Sequence, residues 1–164
     1  MIRPDLRYAV AVRRGFTMTE LLVTVALVGV LAAIGITSWR ESQARTLRAE
    51  VPANVEAIRV SQLAYFAAWD TFVSEGAWYP SDLALDGTDR LPQPWAEVGS
   101  NGTFDDLGWS PNAKVRGRYA LTVGDETKFQ VDGKCNVDGD EKAAYYYATE
   151  DIDGTWDTGS VNEF

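Results

Sequence analysis

The stretch RRGFTMTELLVTVALVGVLAAIGI, residues 13–36, decides how this chain is built. Its apolar part, residues 16–36, carries a single charged side chain, Glu20. A helix of that length measures about 30 Å at roughly 1.5 Å per residue, which is the thickness of a bilayer's hydrocarbon core. The stretch therefore predicts a membrane-spanning helix with an acid near its start.

The residues before this helix are basic. Arg3, Arg7, Arg13 and Arg14 are opposed by Asp5 alone. By the positive-inside rule, the N-terminus stays in the cytoplasm and the C-terminal part is exported. A secretory signal would place its small-residue cleavage site after the apolar run, whereas the Arg-Arg-Gly sequence here precedes it.

These residues resemble the type IV pilin superfamily, whose members have a basic leader ending in Gly, then Phe, Thr and a Glu at the fifth mature position. Gly15, Phe16, Thr17 and Glu20 match that order. The resemblance implies cleavage between Gly15 and Phe16 by the prepilin peptidase, N-methylation of Phe16 by the same enzyme, and polymerisation through the apolar helix. It covers about the first 70 residues strongly and the remainder loosely.

Glu20 needs a reason to lie in the apolar segment, because an ionised side chain in a membrane is costly. Cleavage before Phe16 creates a cationic amine, and in a bundle of such helices Glu20 of one subunit can meet the amine of its neighbour. The predicted role is to set the axial register of assembly. Two alternatives are pairing with the amine of its own chain and reaching for the headgroups.

Composition narrows the function further. The chain has 164 residues, with 15 Lys and Arg against 24 Asp and Glu, so general nucleic-acid binding is disfavoured. It contains no histidine, which removes the commonest general base and metal ligand. Cys135 is the single cysteine, so no disulfide can form within the chain. The predicted protein is not an enzyme.

Helical spacing continues beyond the apolar segment. An apolar stripe recurs in steps of four and three residues and predicts a face packed on a head domain; it comprises Val51, Val55, Ile58, Gln62, Tyr65, Trp69 and Phe72. Pro52 predicts a kink near Glu50 rather than two helices. Pilins often have a proline near the end of the span where this chain has Thr37, so the local loosening linked to that proline is in doubt.

The rest of the chain predicts a small antiparallel sheet. Three β-rich runs, residues 118–123, 128–132 and 143–149, are separated by turn sequences, while residues 73–95 are predicted to form a long loop. The predicted fold is α+β, a long helix packed on a sheet. The predicted divisions are a leader (1–15), a membrane or filament-core helix (16–36), its amphipathic continuation (37–73) and a head (74–164).

Three head features have alternative interpretations. Trp78, Tyr79 and Trp95 predict either a cover for the small core or a glycan-stacking platform. Asn136, Asp138 and Asp140 alternate, which suits either a β-turn or a calcium site completed by other ligands. Lys114, Arg116 and Arg118 also alternate, so in an extended segment they form a basic strip, which is either a solvated edge or a contact for acidic loops of another subunit.

The predicted function is a pilin of a type IV pilus, major or minor. The alternatives are a pseudopilin of a type II secretion or DNA-uptake system and a membrane-anchored glycan-binding module. The predicted partners are copies of this chain or other pilins, the prepilin peptidase, the inner membrane and the pilus assembly platform. Before assembly the chain would cross the inner membrane once with its head in the periplasm, and afterwards it would lie in a surface filament.

Overall fold

A computed structural model describes residues 15–80, 91–95, 102–112, 114–125, 127–139 and 142–160. The predicted leader arginines and Asp140 lie outside these ranges. The chain divides into two compact units, one up to Arg40 and the other from Glu41, and each is considered by itself. The architecture is α+β, a long N-terminal helix and a small antiparallel sheet, which confirms the predicted fold class.

Helix α1 runs from Met18 to Arg48 and contains the apolar segment. The helix continues past Thr37, whose hydroxyl donates to the carbonyl oxygen of Ile34 at 2.9 Å. This hydroxyl-to-backbone bond is compatible with a helix. At the position where relatives often have proline, the helix of this chain therefore continues.

Helix α2 runs from Glu50 to Trp69. Its separation from α1 is a single residue, Ala49, whose backbone keeps right-handed helical angles (φ −61°, ψ −13°). Pro52 has no N–H to donate to the carbonyl of Arg48, four residues earlier, which accounts for a break in the hydrogen-bond ladder here. The sequence predicted a kink near Glu50 rather than two separate helices. The hydrogen-bond ladder is interrupted there, and the helical run nevertheless continues from Met18 to Trp69.

The end of α2 differs from the prediction. Asp70 adopts left-handed angles, and its N–H bonds to the carbonyl of Phe66, so the helix stops before Phe72. Trp69 is 69% exposed rather than buried beneath the sheet. Phe72, in the following segment, packs on Phe129 with ring centroids 4.8 Å apart.

Five antiparallel strands form the sheet in the order β1-β2-β3-β4-β5. The three strands that the sequence predicted are β2 (Arg118–Asp125), β3 (Lys128–Cys135) and β4 (Ala144–Thr149). The sequence does not predict two of the strands: β1 (Glu75–Tyr79), which lies in the predicted loop, and the two-residue β5 (Thr155–Trp156). A short helix, α3 (Gly102–Asp106), was also missed.

The core lies between α2 and the sheet. Val51, Val55 and Ile58 are fully buried, and α2 packs on β3 and β4. Each such side chain contributes roughly 1.5–3 kcal/mol of transfer free energy. Gly133 in β3 permits the close approach, because a Cβ there would lie 2.6 Å from Cγ2 of Val55 and 2.7 Å from Cγ1 of Val51.

Buried polar side chains near the ends of the helices form hydrogen bonds with backbone groups of neighbouring segments. The amide of Gln62 donates to the carbonyl of Val73 at 2.6 Å and accepts its N–H at 3.3 Å. At the end of α1, the guanidinium of Arg48 donates to the carbonyl of Ser160 at 2.9 Å and lies 3.5 Å from the ring centroid of Trp156. The segment after β5 is thus attached to the helical part of the head.

Candidate functional site

The candidate site is the start of α1. Thr17 is its N-cap residue, because the carbonyl of Thr17 accepts the first helical hydrogen bond, from Leu21 N–H at 3.1 Å. The hydroxyl of Thr17 accepts the N–H of Glu20 at 3.2 Å. In return, Oε2 of Glu20 accepts the N–H of Thr17 at 2.9 Å and its hydroxyl at 2.8 Å.

This reciprocal pattern is a capping box, which satisfies backbone N–H groups at a helix start. The sequence shows it as Thr-Met-Thr-Glu, a Thr followed three residues later by Glu. Our sequence interpretation assigned Glu20 to a neighbouring subunit and missed Thr17 as its partner. Glu20 therefore has a role within its own helix, because it completes the helix start.

One carboxylate oxygen of Glu20 accepts both hydrogen bonds from Thr17. Among the described residues, Oε2 of Glu20 takes the Thr17 donors, and no hydrogen bond is recorded for Oε1. A carboxylate has lone pairs on both oxygens. The geometry therefore allows the helix cap to persist while the second oxygen accepts another donor.

The segment that follows the cap is apolar and exposed on every side. In residues 16–36 the large apolar side chains are exposed by 52% (Ile36) to 81% (Met18). The run from Met18 to Trp69 includes a window of mean hydropathy 2.4, so by length and composition it can cross a membrane. Exposed apolar surface on this scale is typical of a membrane or protein contact.

Residues 11–36 match the family model described as the prokaryotic N-terminal methylation motif. The N-terminal segment is a type IV prepilin motif. The chain is also 39% identical over 59 residues to the type IV major pilin protein PilA of Myxococcus xanthus (strain DK1622). That similarity covers 36% of this chain and 27% of the relative. No solved structure matches.

The comparisons confirm the predicted resemblance to type IV pilins in the N-terminal segment. The individual roles predicted for Gly15, Phe16 and Glu20 stay predictions. Gly15 and Phe16 lie directly before the capping box and are exposed. Both residues precede helix α1, which begins at Met18.

The structure does not assemble the aromatic platform predicted as one alternative. Tyr79 is buried and its ring lies 4.5 Å from that of Trp95, within a cluster that also includes Phe104 and Trp109. The Tyr79 hydroxyl donates to the carbonyl of Trp95 at 3.0 Å. Trp78 contacts Lys134 and Tyr145 instead, so the three residues do not share one surface.

The acidic turn after β3 is described in part. Oδ1 of Asn136 accepts the N–H of Gly139 at 2.8 Å, and Gly139 has a φ of 76°. This is the geometry of a turn closed by an Asn side chain. Within the described ranges no group of three metal-ligating side chains comes together, and Asp140 lies outside them. Calcium binding by Asn136, Asp138 and Asp140 stays a prediction.

The basic strip alternates as the sequence predicted. Val115, Gly117 and Tyr119 are buried, while Lys114 is exposed and Arg116 and Arg118 are half-buried. Its middle member is held through its backbone, because Arg116 N–H donates to Oε1 of Glu50 at 2.8 Å. Only Arg118 lies within a strand of the sheet.

Proposed function

We propose that this chain is a structural subunit of a type IV pilus, anchored in the inner membrane before assembly and polymerised through residues 16–36. The observation that carries the proposal is an apolar segment, residues 16–36, that is exposed on every side and whose one acid, Glu20, is fixed at the helix start by a capping box. The prepilin motif over residues 11–36 supports the same proposal. The proposed function includes no catalytic role.

The proposed assembly contact joins two chains at this helix start. The prepilin peptidase cuts between Gly15 and Phe16 and methylates the new amine. Oε2 of Glu20 keeps the helix cap, and its carboxylate receives the cationic amine of Phe16 from a neighbouring subunit. In apolar surroundings the attraction between these two charges is stronger than in water. Pairing also avoids the free-energy cost of burying either charge alone.

The experiment is substitution of Glu20 by Val in a cell that makes the filament. Insertion and cleavage should persist, because loss of an intramembrane charge eases insertion. Incorporation into filaments should fall sharply, since the Phe16 amine is left as a buried cation without a partner. Glu41→Val is the matched control, because Glu41 lies on the same helix with Arg45 as an exposed partner at 2.6 Å.

Wild-type incorporation of the Glu20→Val chain would contradict the proposed contact. The pseudopilin alternative shares the motif and the cleavage, and differs in the fate of the filament. Abundance of the chain in filaments sheared from the cell surface supports a pilus. A processed chain that never leaves the periplasm supports a secretion or DNA-uptake machine instead.

A further inference from the structure

An exposed aromatic residue and a cation follow the apolar segment of α1. Trp39 and Arg40 are adjacent in the helix and come three and four residues after Ile36. Trp39 is 59% exposed, and Arg40 is exposed as well. We call these two residues the Trp–Arg pair. The pair lies at the border between the apolar segment and the polar residues 40–43.

Trp39 differs from the other tryptophans of the chain. The chain has six tryptophans, and five of them pack against another aromatic ring: Trp69, Trp78, Trp95, Trp109 and Trp156. Within the part of the chain that the structure describes, no ring contact is found for Trp39. Trp39 therefore does not serve the aromatic packing of the isolated subunit.

Arg40 has no acid as a partner within the described ranges. The acid next to it in the sequence, Glu41, instead pairs with Arg45, one turn later, at 2.6 Å. A guanidinium is always charged in a protein, and it binds phosphate oxygens through two parallel hydrogen bonds. The side chain of Arg40 can therefore bind a phosphate group from outside the chain.

The length of helix between Glu20 and Trp39 matches the thickness of a bilayer. The two residues are 19 positions apart, which corresponds to about 29 Å at roughly 1.5 Å per residue. The hydrocarbon core of a bilayer is about 30 Å thick. When Trp39 lies at the headgroups of one leaflet, Glu20 therefore lies at the opposite border of the hydrocarbon. An ionised side chain costs less there than at the bilayer centre.

We propose that the Trp–Arg pair binds phospholipid headgroups on the periplasmic side of the inner membrane and fixes the depth of α1 before assembly. Tryptophan is enriched at membrane interfaces, where its apolar ring and polar N–H are both accommodated. An arginine near the end of a span reaches the headgroups with its charge. This inference rests on the proposed anchoring of the chain in the membrane, and it adds the lipid contact that holds Glu20 at the cytoplasmic border.

Quenching of tryptophan fluorescence by brominated lipids tests the proposal, because bromine quenches at its own depth. The full chain is reconstituted in vesicles of three parts phosphatidylethanolamine and one part phosphatidylglycerol, brominated either close to the glycerol or near the chain ends. The signal of Trp39 is the difference between the unmodified chain and Trp39→Phe. Val30→Trp in the Trp39→Phe chain reports the bilayer centre, since residue 30 lies close to midway between Glu20 and Trp39.

The shallow bromines should quench Trp39 at least about twofold more than the deep ones, as expected at the headgroups, and Val30→Trp should show the opposite preference. Arg40→Leu should lower the shallow-to-deep ratio of Trp39 by about twofold, because the ring moves inward when the adjacent charge is lost. Arg45→Leu is the matched control and should leave the ratio unchanged, because Arg45 is paired with Glu41 within the chain.

Stronger quenching of Trp39 by the deep bromines would overturn the inference. Quenching of Val30→Trp without any quenching of Trp39 would also overturn it, since Trp39 would then lie outside the lipid. An unchanged ratio in Arg40→Leu would contradict the role of Arg40. If the deep bromines do not quench Val30→Trp, the chain does not span the bilayer, and it is the proposed membrane anchoring that fails.

Discussion

The carboxylate of Glu20 accepts two hydrogen bonds from Thr17, one from its backbone N–H and one from its hydroxyl. Its position in the apolar segment followed from the sequence, because one acid in residues 16–36 stands out against apolar neighbours. The identity of its partner did not follow from the sequence, because we expected a charged group and the partner is the uncharged Thr17. The Thr-Met-Thr-Glu pattern held the missing information.

Thr17→Val should weaken assembly less than Glu20→Val does. The substitution removes the hydroxyl that accepts Glu20 N–H and donates to its carboxylate, and loss of an N-cap costs about 1 kcal/mol. Thr17→Ser keeps the hydroxyl and should assemble normally. The measurement is filament yield relative to processed subunit in the membrane. Equal yields from Thr17→Val and the unmodified chain would show that the cap has no part in assembly.

Cys135 should be unreactive in the folded head. Burial raises the pKa of its thiol to about 12, and Arg48 opposes that rise only in part. Near neutral pH the reactive thiolate is therefore scarce. Iodoacetamide at pH 8 should label the chain only after denaturation, as followed by intact mass. Rapid labelling of the native chain would contradict the burial of Cys135.

The same shift in pKa has a consequence for stability. The unfolded thiol loses its proton near pH 9, whereas the folded thiol keeps it up to about pH 12. Over that interval the folded state binds more protons, so the contribution of Cys135 to stability is complete below pH 9 and is lost as the pH rises. Cys135→Ala should therefore show a shallower fall in stability across this interval.

At the scale of elements, the sheet and the helix were predictable to different degrees. β2, β3 and β4 have enough β-branched and aromatic residues to be recognised locally. β1 contains Gly76 and Ala77, which have low strand propensity, and it forms because it pairs with β2. β5 has only two residues, so no local pattern could show it.

The exit from α2 was missed for a related reason. The helical spacing continues in the sequence through Tyr65, Trp69 and Phe72. The left-handed conformation of Asp70 nevertheless ends the helix at Trp69, before Phe72 is reached. The side chain of Gln62 stabilises this exit through both backbone groups of Val73. These hydrogen bonds join residues eleven positions apart, which a local pattern does not reveal.

Gly133→Ala tests the packing of α2 on β3. Its new Cβ would lie 2.6 Å from Cγ2 of Val55, so the helix must shift or the side chain must move. Overpacking of this kind costs roughly 1–3 kcal/mol. Gly124→Ala is the matched control, because a Cβ there meets nothing within 4 Å. Thermal unfolding of the full chain in detergent should show a lower midpoint for Gly133→Ala alone; equal midpoints would contradict this packing.

At the scale of the whole molecule, the two units of the chain were predictable to different degrees. Residues 16–36 bring an exposed apolar surface that suits a membrane and then a filament core. The head has a sheet whose cross-strand pairs are set by the register of its strands. The first could be read from sequence because it is local, whereas the pairing of Arg118 with Lys134 depends on the register of β2 against β3.

The proposed contact between Glu20 and the Phe16 amine requires that the N-terminus be processed. The proposed leader, residues 1–15, holds four of the 15 basic and one of the 24 acidic residues. Its removal should leave a chain of 149 residues with 11 basic and 23 acidic side chains, a net charge of −12. The new amine on Phe16 is the proposed partner of Glu20.

The most direct test is the mass of the subunit in filaments sheared from the cell surface, with tandem mass spectrometry of its N-terminal peptide. We expect a chain that begins at N-methylated Phe16, and an uncut chain in cells without the prepilin peptidase. A filament subunit that retains Met1, or one that begins after Ile36, would contradict it.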